Sequence, residues 1–134
     1  MPIELPNEKQ RLNMVKPHDI DRLAWENAKR EAREAMIATA RSAKGTMTYN
    51  ELADQITSLL LEPDSLALRE LLGEISLAEN MAGRGMLSVV VIHQGGDGLP
   101  GHGFFTLAKG LGRDTYDQEK FWAIEFGKVR DVWK

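Results

Sequence analysis

The sequence of 134 residues contains no cysteine. This absence excludes a disulfide framework, a thiolate zinc site, an iron–sulfur cluster and a cysteine nucleophile. Long hydrophobic runs are also lacking, because the longest, Met86–Ile92, is interrupted by Ser88 and is too short to cross a bilayer. The first residues show no basic segment followed by an apolar run, so no signal peptide is predicted. We therefore expect a cytoplasmic protein that does not insert into a membrane.

Neither sign of charge dominates the chain, which has 17 basic and 20 acidic side chains and a formal net charge of -3. Hydrophobic residues make up 43% of it, a proportion typical of a globular domain. Residues 1–17 hold three of the five prolines and little apolar periodicity, which predicts a flexible N-terminal arm. Residues 18–134 are long enough to bury one core and are predicted to form a single domain.

The first half of this domain shows helical periodicity. Apolar residues, many of them alanine, recur at helical spacing from Asp19, the predicted N-cap, until Gly45 ends the helix. A capping-box pattern at residues 48–51 predicts a second helix that continues through Leu60. Residues 63–65 then break the pattern and cap a third helix, which is predicted to end at residues 83–85.

The second half mixes strand and helix signals. β-Branched residues predict a strand over residues 87–92, glycines predict a turn over 95–98, and residues 99–103 predict a short returning edge strand. Residues 104–109 predict a short helix, and a second capping-box pattern at 115–118 opens a final helix. The predicted fold class is α+β: a winged-helix-like core of helices and a short β-hairpin, with a long N-terminal helix and a C-terminal helix.

This order of elements resembles the C-terminal winged-helix domain of alkylguanine DNA alkyltransferases and alkyltransferase-like proteins. The Thr-Tyr-Asn-Glu-Leu-Ala segment at 48–53 is similar to their Thr-Tyr-Gly-x-(Ile/Leu)-Ala, and residues 68–73 are similar to the helix that enters DNA. The resemblance covers residues 46–103 and implies DNA binding. Residues 85–88 stand where the reactive Pro-Cys-His-Arg motif belongs, so alkyl transfer is excluded. Pro100–Ala108 also resembles a segment of an uncharacterised group of small bacterial proteins, which implies no function.

Basic side chains are the predicted nucleic-acid contacts, because DNA affinity comes largely from neutralised phosphates. They lie on the first helix and at the two ends of the third, and they are Lys29, Arg30, Arg33, Arg69 and Arg84. Residues 45–85 nevertheless hold 2 basic and 7 acidic side chains, a net charge of -5. Glu70, Glu74 and Glu79 are expected to form a solvated face of the third helix.

The glycine-rich segment at 95–103 has two interpretations. It is a flexible wing, or it is an anion-binding loop formed by Gly95, Gly96, Gly98 and His102. A hairpin would also bring His93, Asp97 and His102 together, as a metal site needs, although their spacing matches no known ligand pattern. Near the end of the chain, Glu125 interrupts the apolar stripe of the last helix and is expected to pair with a basic side chain or a partner protein.

The predicted function is therefore a non-enzymatic binding module without a cofactor or a resident metal, which binds DNA through a winged-helix framework. The alternative is a protein-interaction module whose acidic middle helices engage a basic partner. A dimer or another homo-oligomer is one form that this alternative allows. The third hypothesis is a metal-dependent hydrolase or nuclease. The DNA-binding hypothesis rests mainly on the analogy with the winged-helix fold.

Overall fold

The computed structural model describes residues 21–134; the predicted arm and Asp19 lie outside them. The described part of the chain is rich in helix and has one small sheet, which confirms the α+β class. Its elements are α1 (Arg22–Arg41), β1 (Met47–Thr48), α2 (Tyr49–Gln55), α3 (Leu66–Met81), a 3₁₀ helix (Leu87–Val90), β2 (Val91–Ile92), α4 (His102–Gly110) and α5 (Gln118–Trp133). None of these helices combines the length and the apolar composition that a membrane span requires.

The first helix is shorter at its end than the sequence predicts. The Asp21 carboxylate accepts a hydrogen bond from the Leu23 amide at 3.1 Å and caps the start of α1. The helix ends at Arg41, before the predicted stop at Gly45. Its last carbonyl groups are satisfied from α5, because the Arg130 guanidinium donates to the carbonyl oxygens of Ala40 at 3.3 Å and of Ser42 at 2.6 Å.

The capping box at the start of α2 is confirmed. The Thr48 hydroxyl accepts from the Glu51 amide at 3.1 Å, and the Glu51 carboxylate accepts from the Thr48 amide at 2.9 Å. The helix ends at Gln55, so its predicted continuation through Leu60 is wrong. The cause is tertiary: the Glu31 carboxylate on α1 accepts hydrogen bonds from the backbone amides of residues 57 and 58 at 3.2 and 2.9 Å.

The predicted β-hairpin is wrong. Residues 87–90 form a 3₁₀ helix whose side chains are all buried, and only Val91 and Ile92 are in a strand. A strand alternates its side chains between two faces, whereas this segment is enclosed by α1, α3 and α5 and buries every residue. In residues 21–134 the strand β2 pairs in parallel with β1, with Met47 opposite Val91. Residues 99–103 form no strand, and the His93 amide donates to the Leu99 carbonyl oxygen at 3.0 Å.

The remaining helices are α3, α4 and α5. Ser65 caps α3 by accepting from the Leu68 amide at 3.1 Å, as predicted. The short helix α4 is confirmed over His102–Gly110. The predicted capping box at 115–118 is wrong, because Asp117 is the N-cap of α5 and accepts from the Lys120 amide at 3.1 Å. The Asp117 carboxylate thus supplies the acceptor that an unpaired amide in the first turn of a helix needs.

A fully buried carboxylate joins three segments of the chain. Glu125 on α5 has no exposed surface, and both of its oxygens accept from Arg113, with Nη1 lying 3.4 Å from Oε2. Oε1 lies 2.5 Å from Nη2 of Arg113, and Oε2 accepts from the Met86 amide at 2.8 Å. Burial alone would raise the pKa of Glu125, but the Arg113 guanidinium and the Met86 amide hold it below the ordinary value of 4.5. The expectation that Glu125 pairs with a basic side chain is confirmed.

We expect Glu125→Ala to lower the free energy of unfolding by about 3–5 kcal/mol, because the variant leaves Arg113 and a buried amide without their acceptor. Urea unfolding followed by circular dichroism measures the change. The control is Glu119→Ala, an exposed carboxylate on the same helix, which should change the free energy of unfolding by less than about 0.5 kcal/mol. Equal effects of the two substitutions would contradict the role assigned to Glu125.

Stability should also fall in acid. Burial would raise the pKa of Glu79, but hydrogen bonds and charge from Arg84 and Arg33 lower it, as Arg113 does for Glu125. A carboxyl whose pKa is lower in the folded state stabilises the fold above its unfolded pKa, and this contribution is lost as the pH falls through the folded value. The urea midpoint should therefore decline below about pH 4.5, and less steeply in Glu79→Gln. A midpoint with the same pH dependence in both proteins would contradict this assignment.

Candidate functional site

Most of the predicted nucleic-acid contacts are used inside the protein. Lys29 Nζ lies 3.2 Å from Glu74 Oε1, and Arg33 Nε lies 2.6 Å from Glu79 Oε1. Arg84 bonds the other oxygen of Glu79. Glu79 is only 3% exposed, so the expectation of a solvated acidic face is wrong for this residue. The basic side of α1 and the acidic side of α3 thus neutralise each other where the two helices meet.

The last side chain on α5 completes this cluster. The Trp133 ring centroid lies 5.5 Å from the Arg33 guanidinium carbon and 6.0 Å from that of Arg84. The Trp133 carbonyl oxygen accepts from Arg41 Nε at 2.9 Å. Trp133 therefore packs against arginines of its own chain, and these two are among the five predicted DNA contacts.

The other two predicted contacts differ in their surroundings. Arg30 is exposed on α1 and lies 3.9 Å from Glu34, a weak surface pair. Arg69 is exposed on the first turn of α3, and its side chain has no hydrogen bond and no ion pair with any residue in 21–134. Among the five predicted basic contacts, Arg69 is the only one whose charged group has no partner in the described part of the chain. Arg69 also lines a cavity.

This cavity has a volume of about 460 Å³, within the range of about 300–1,000 Å³ that is common for small-molecule sites. We call it the α2–α4 cleft, because the first residues of α2 and of α4 form part of its wall. Its apolar lining consists of Pro63, Leu72, Phe104 and Leu107. Its polar lining consists of Thr48, Tyr49, Asn50, Asp64, Arg69, Ser88, His93, Gln94 and His102, and three glycines complete it: Gly73, Gly101 and Gly103.

The start of α4 brings free backbone donors to this cleft. Gly101 is the N-cap of α4 and has no side chain that could bond the first amides of the helix. The His102 and Gly103 amides have no acceptor in the part of the chain that the structure describes. Both residues line the cleft. Unsatisfied amides at a helix start carry partial positive charge and attract anions, here beside the Arg69 guanidinium.

Tyr49 fixes the position of the loop that precedes α4. Its hydroxyl oxygen accepts from the Gly101 amide at 2.7 Å, and its ring centroid lies 5.2 Å from that of His93. A Cβ at Gly101 would lie 3.2 Å from both the Tyr49 hydroxyl oxygen and His93 Nε2, so this close approach favours glycine. Burial raises the pKa of Tyr49, and the Gly101 hydrogen bond only partly offsets that effect. The phenol is therefore neutral and keeps its own proton for donation.

Ser88 supplies a polar group at the buried end of the cleft. Its side chain is 6% exposed, and its hydroxyl oxygen accepts from the Ser76 hydroxyl at 2.6 Å. The Ser88 amide in turn donates to Ser76 Oγ at 2.9 Å. With these two bonds formed, the Ser88 hydroxyl proton has no acceptor among residues 21–134, and Ser88 lines the cleft together with Leu72 and Phe104.

The predicted anion-binding loop is only partly brought to the cleft. His102 lines it, whereas Gly95, Gly96 and Gly98 do not. Those three glycines have φ of 78°, 61° and 69°, which are the left-handed values that a tight turn requires. The Asp97 carboxylate accepts from the Leu99 amide at 3.0 Å within the same turn. In residues 21–134, no three His, Asp or Glu side chains come close enough to hold a metal ion, so the predicted His93, Asp97 and His102 cluster does not assemble.

Sequence reasoning missed several residues of the cleft. Tyr49 was expected only as part of a capping box, and Gly73 only as a residue that weakens a helix. The segment that bears Gly101 and Gly103 was predicted to include an anion site at the start of the following helix, but neither glycine was named as a binding residue. The contact of Tyr49 with Gly101 spans 52 residues of sequence, and no local pattern predicts it.

Comparisons with family models, with curated proteins and with solved structures gave no significant match. The resemblance to alkyltransferase-like proteins and the winged-helix core therefore stay predictions. The function has to be argued from the site itself.

We expect Tyr49→Phe to lower the free energy of unfolding by about 1–3 kcal/mol, because it leaves the partly buried Gly101 amide without its acceptor. Urea unfolding at neutral pH measures this change. Tyr116→Phe is the matched control, since Tyr116 is 98% exposed and should change the free energy of unfolding by less than about 0.5 kcal/mol. A Tyr49→Phe protein as stable as the control would show that the hydroxyl does not anchor the loop.

Proposed function

We propose that this protein is a non-enzymatic binding module for a small anionic ligand, which it takes up in the α2–α4 cleft. The observation that carries the proposal is the cleft itself, whose lining residues include Arg69, with an unpartnered guanidinium, and His102 and Gly103, whose amides have no acceptor among residues 21–134. Small-molecule sites combine an apolar wall with a few convergent polar groups, and the cleft has both.

The charges around the cleft support an anion over a cation. Arg69 is the one permanently charged basic group among the lining residues, and Asp64 is the one carboxylate. Asp64 directly precedes Ser65, the N-cap of α3, so the positive end of that helix offsets part of its charge. The amides of His102 and Gly103 add partial positive charge, and the two histidines add hydrogen-bond donors. The site is therefore donor-rich, as an oxyanion requires.

Binding of inorganic phosphate tests this function. In ¹H–¹⁵N NMR spectra at low salt and neutral pH, phosphate should shift the His102 and Gly103 amides saturably. Arg69→Ala should weaken binding by about tenfold or more, because it removes a charge-assisted hydrogen bond. Arg30→Ala is the control, since it removes an equal charge that is exposed on α1 and outside the cleft, and it should leave the affinity unchanged.

The absence of saturable shifts, or equal losses in both variants, would contradict this function. The same two variants address nucleic-acid binding, the first prediction from the sequence. A duplex that binds through the predicted basic surface should lose affinity in Arg30→Ala as well as in Arg69→Ala, with a steep dependence on salt.

DNA binding through a winged-helix framework has one supporting observation, which is the succession of α2, α3, a short strand and a glycine-rich loop. Its electrostatic basis is weaker than the sequence indicated, because Lys29, Arg33 and Arg84 are paired with carboxylates of α3. The same pairing removes acidic groups from the surface that a basic protein partner would bind. Both functions stay predictions, and the small anion is the ligand that the cleft favours.

A further inference from the structure

The interior of α3 contains a glycine that its own helix does not need. Gly73 lies in the middle of α3, where glycine is less favourable than alanine because the unfolded chain loses more conformational freedom. Its φ is not positive, so no backbone strain demands glycine there. No close neighbour demands it either, since a Cβ at Gly73 would have no atom within 4 Å.

The space next to Gly73 belongs to the α2–α4 cleft. Gly73 lines the cleft together with Leu72, one residue before it, and with Phe104 and Leu107 of α4. Any larger side chain at position 73 would extend into this space rather than into the protein core. The missing side chain thus leaves room beside the apolar wall, while the donor-rich groups lie at the exposed rim with Arg69 and His102.

The rim offers more donors than a carboxylate can use. Arg69, the two residues that bear the free α4 amides and the two histidines line one site and together supply up to about six N–H donors, whereas the two oxygens of a carboxylate accept at about four positions. A phosphate group has three terminal oxygens and suits such a set better. Inorganic phosphate alone, however, would leave the apolar wall and the space beside Gly73 unfilled.

We propose that the ligand of the α2–α4 cleft is a small organic phosphate whose apolar body, about one ring in size, occupies the space left open by Gly73. This inference rests on the proposed function, because it assumes that an anion binds at the rim. It assigns Gly73 as the residue that determines the size of the ligand body, and it places Leu72 and Phe104 in contact with that body.

Phenyl phosphate and inorganic phosphate are the two probes, titrated into the full chain by NMR. The wild-type protein should bind phenyl phosphate about tenfold more tightly or better, since burial of a ring adds apolar contact that inorganic phosphate cannot make. Gly73→Leu should remove this preference by filling the space, so that the two probes bind this variant with equal affinity.

Gly127→Leu is the matched control. Gly127 also lies inside a helix and would have no atom within 4 Å of a Cβ, but it is on α5 and does not line the cleft. This variant should keep both affinities. Because leucine favours helix over glycine, both variants should fold, and their thermal unfolding midpoints should be no lower than that of the wild type.

The outcomes separate the two proposals. If inorganic phosphate binds saturably but phenyl phosphate binds no better, or if Gly73→Leu keeps the preference, the inference about the ligand body is overturned and the anion-binding function stands. If neither probe binds the wild-type protein, both proposals are overturned. If Gly127→Leu loses the preference as Gly73→Leu does, the assignment of Gly73 is overturned.

Discussion

The buried carboxylate of Glu79 constrains the way in which the helices of this protein assemble. A carboxylate that is taken out of water is stable only when charged or hydrogen-bonding partners replace its hydration. Glu79 finds them in Arg33 of α1 and in Arg84, beyond the end of α3. The ring of Trp133 then packs close to both guanidinium groups, so the end of α5 belongs to the same assembly. Glu125 plays the equivalent part at the start of the 3₁₀ helix, through Arg113 and the Met86 amide.

This internal pairing has a consequence for function. Basic and acidic side chains that look like two opposed surfaces in the sequence are in contact with each other in the fold. Their charges cancel over short distances. The groups that remain available to an external ligand form a small donor-rich site around Arg69 rather than an extended basic surface. A recessed site of this kind suits a small molecule better than the backbone of a duplex, which is recognised over many phosphates.

Glycine has three distinct uses around this site. In the turn at residues 95–98 it allows positive φ values, and at Gly101 it allows the backbone to approach Tyr49 and His93 closely. At Gly73 it serves neither purpose, and it leaves space open beside an apolar wall. The glycine-rich sequence is therefore not one phosphate-binding loop. The glycines that line the cleft come from one helix start, that of α4, and from the interior of α3, which are far apart in sequence.

The sequence by itself determined the helices and two of their starts, because an N-cap and a 3.6-residue apolar period are local properties of the chain. The caps Thr48 and Ser65 and the buried role of Glu125 were readable in this way. Only the tertiary structure decided where α2 ends, because Glu31 on another helix takes the amides that would continue it. It also decided that residues 87–90 coil into a 3₁₀ helix, since burial on every side removes the advantage of an alternating strand. The cleft belongs to this second class, because its walls come from helices whose contacts, such as Tyr49 with Gly101, depend on packing between distant segments.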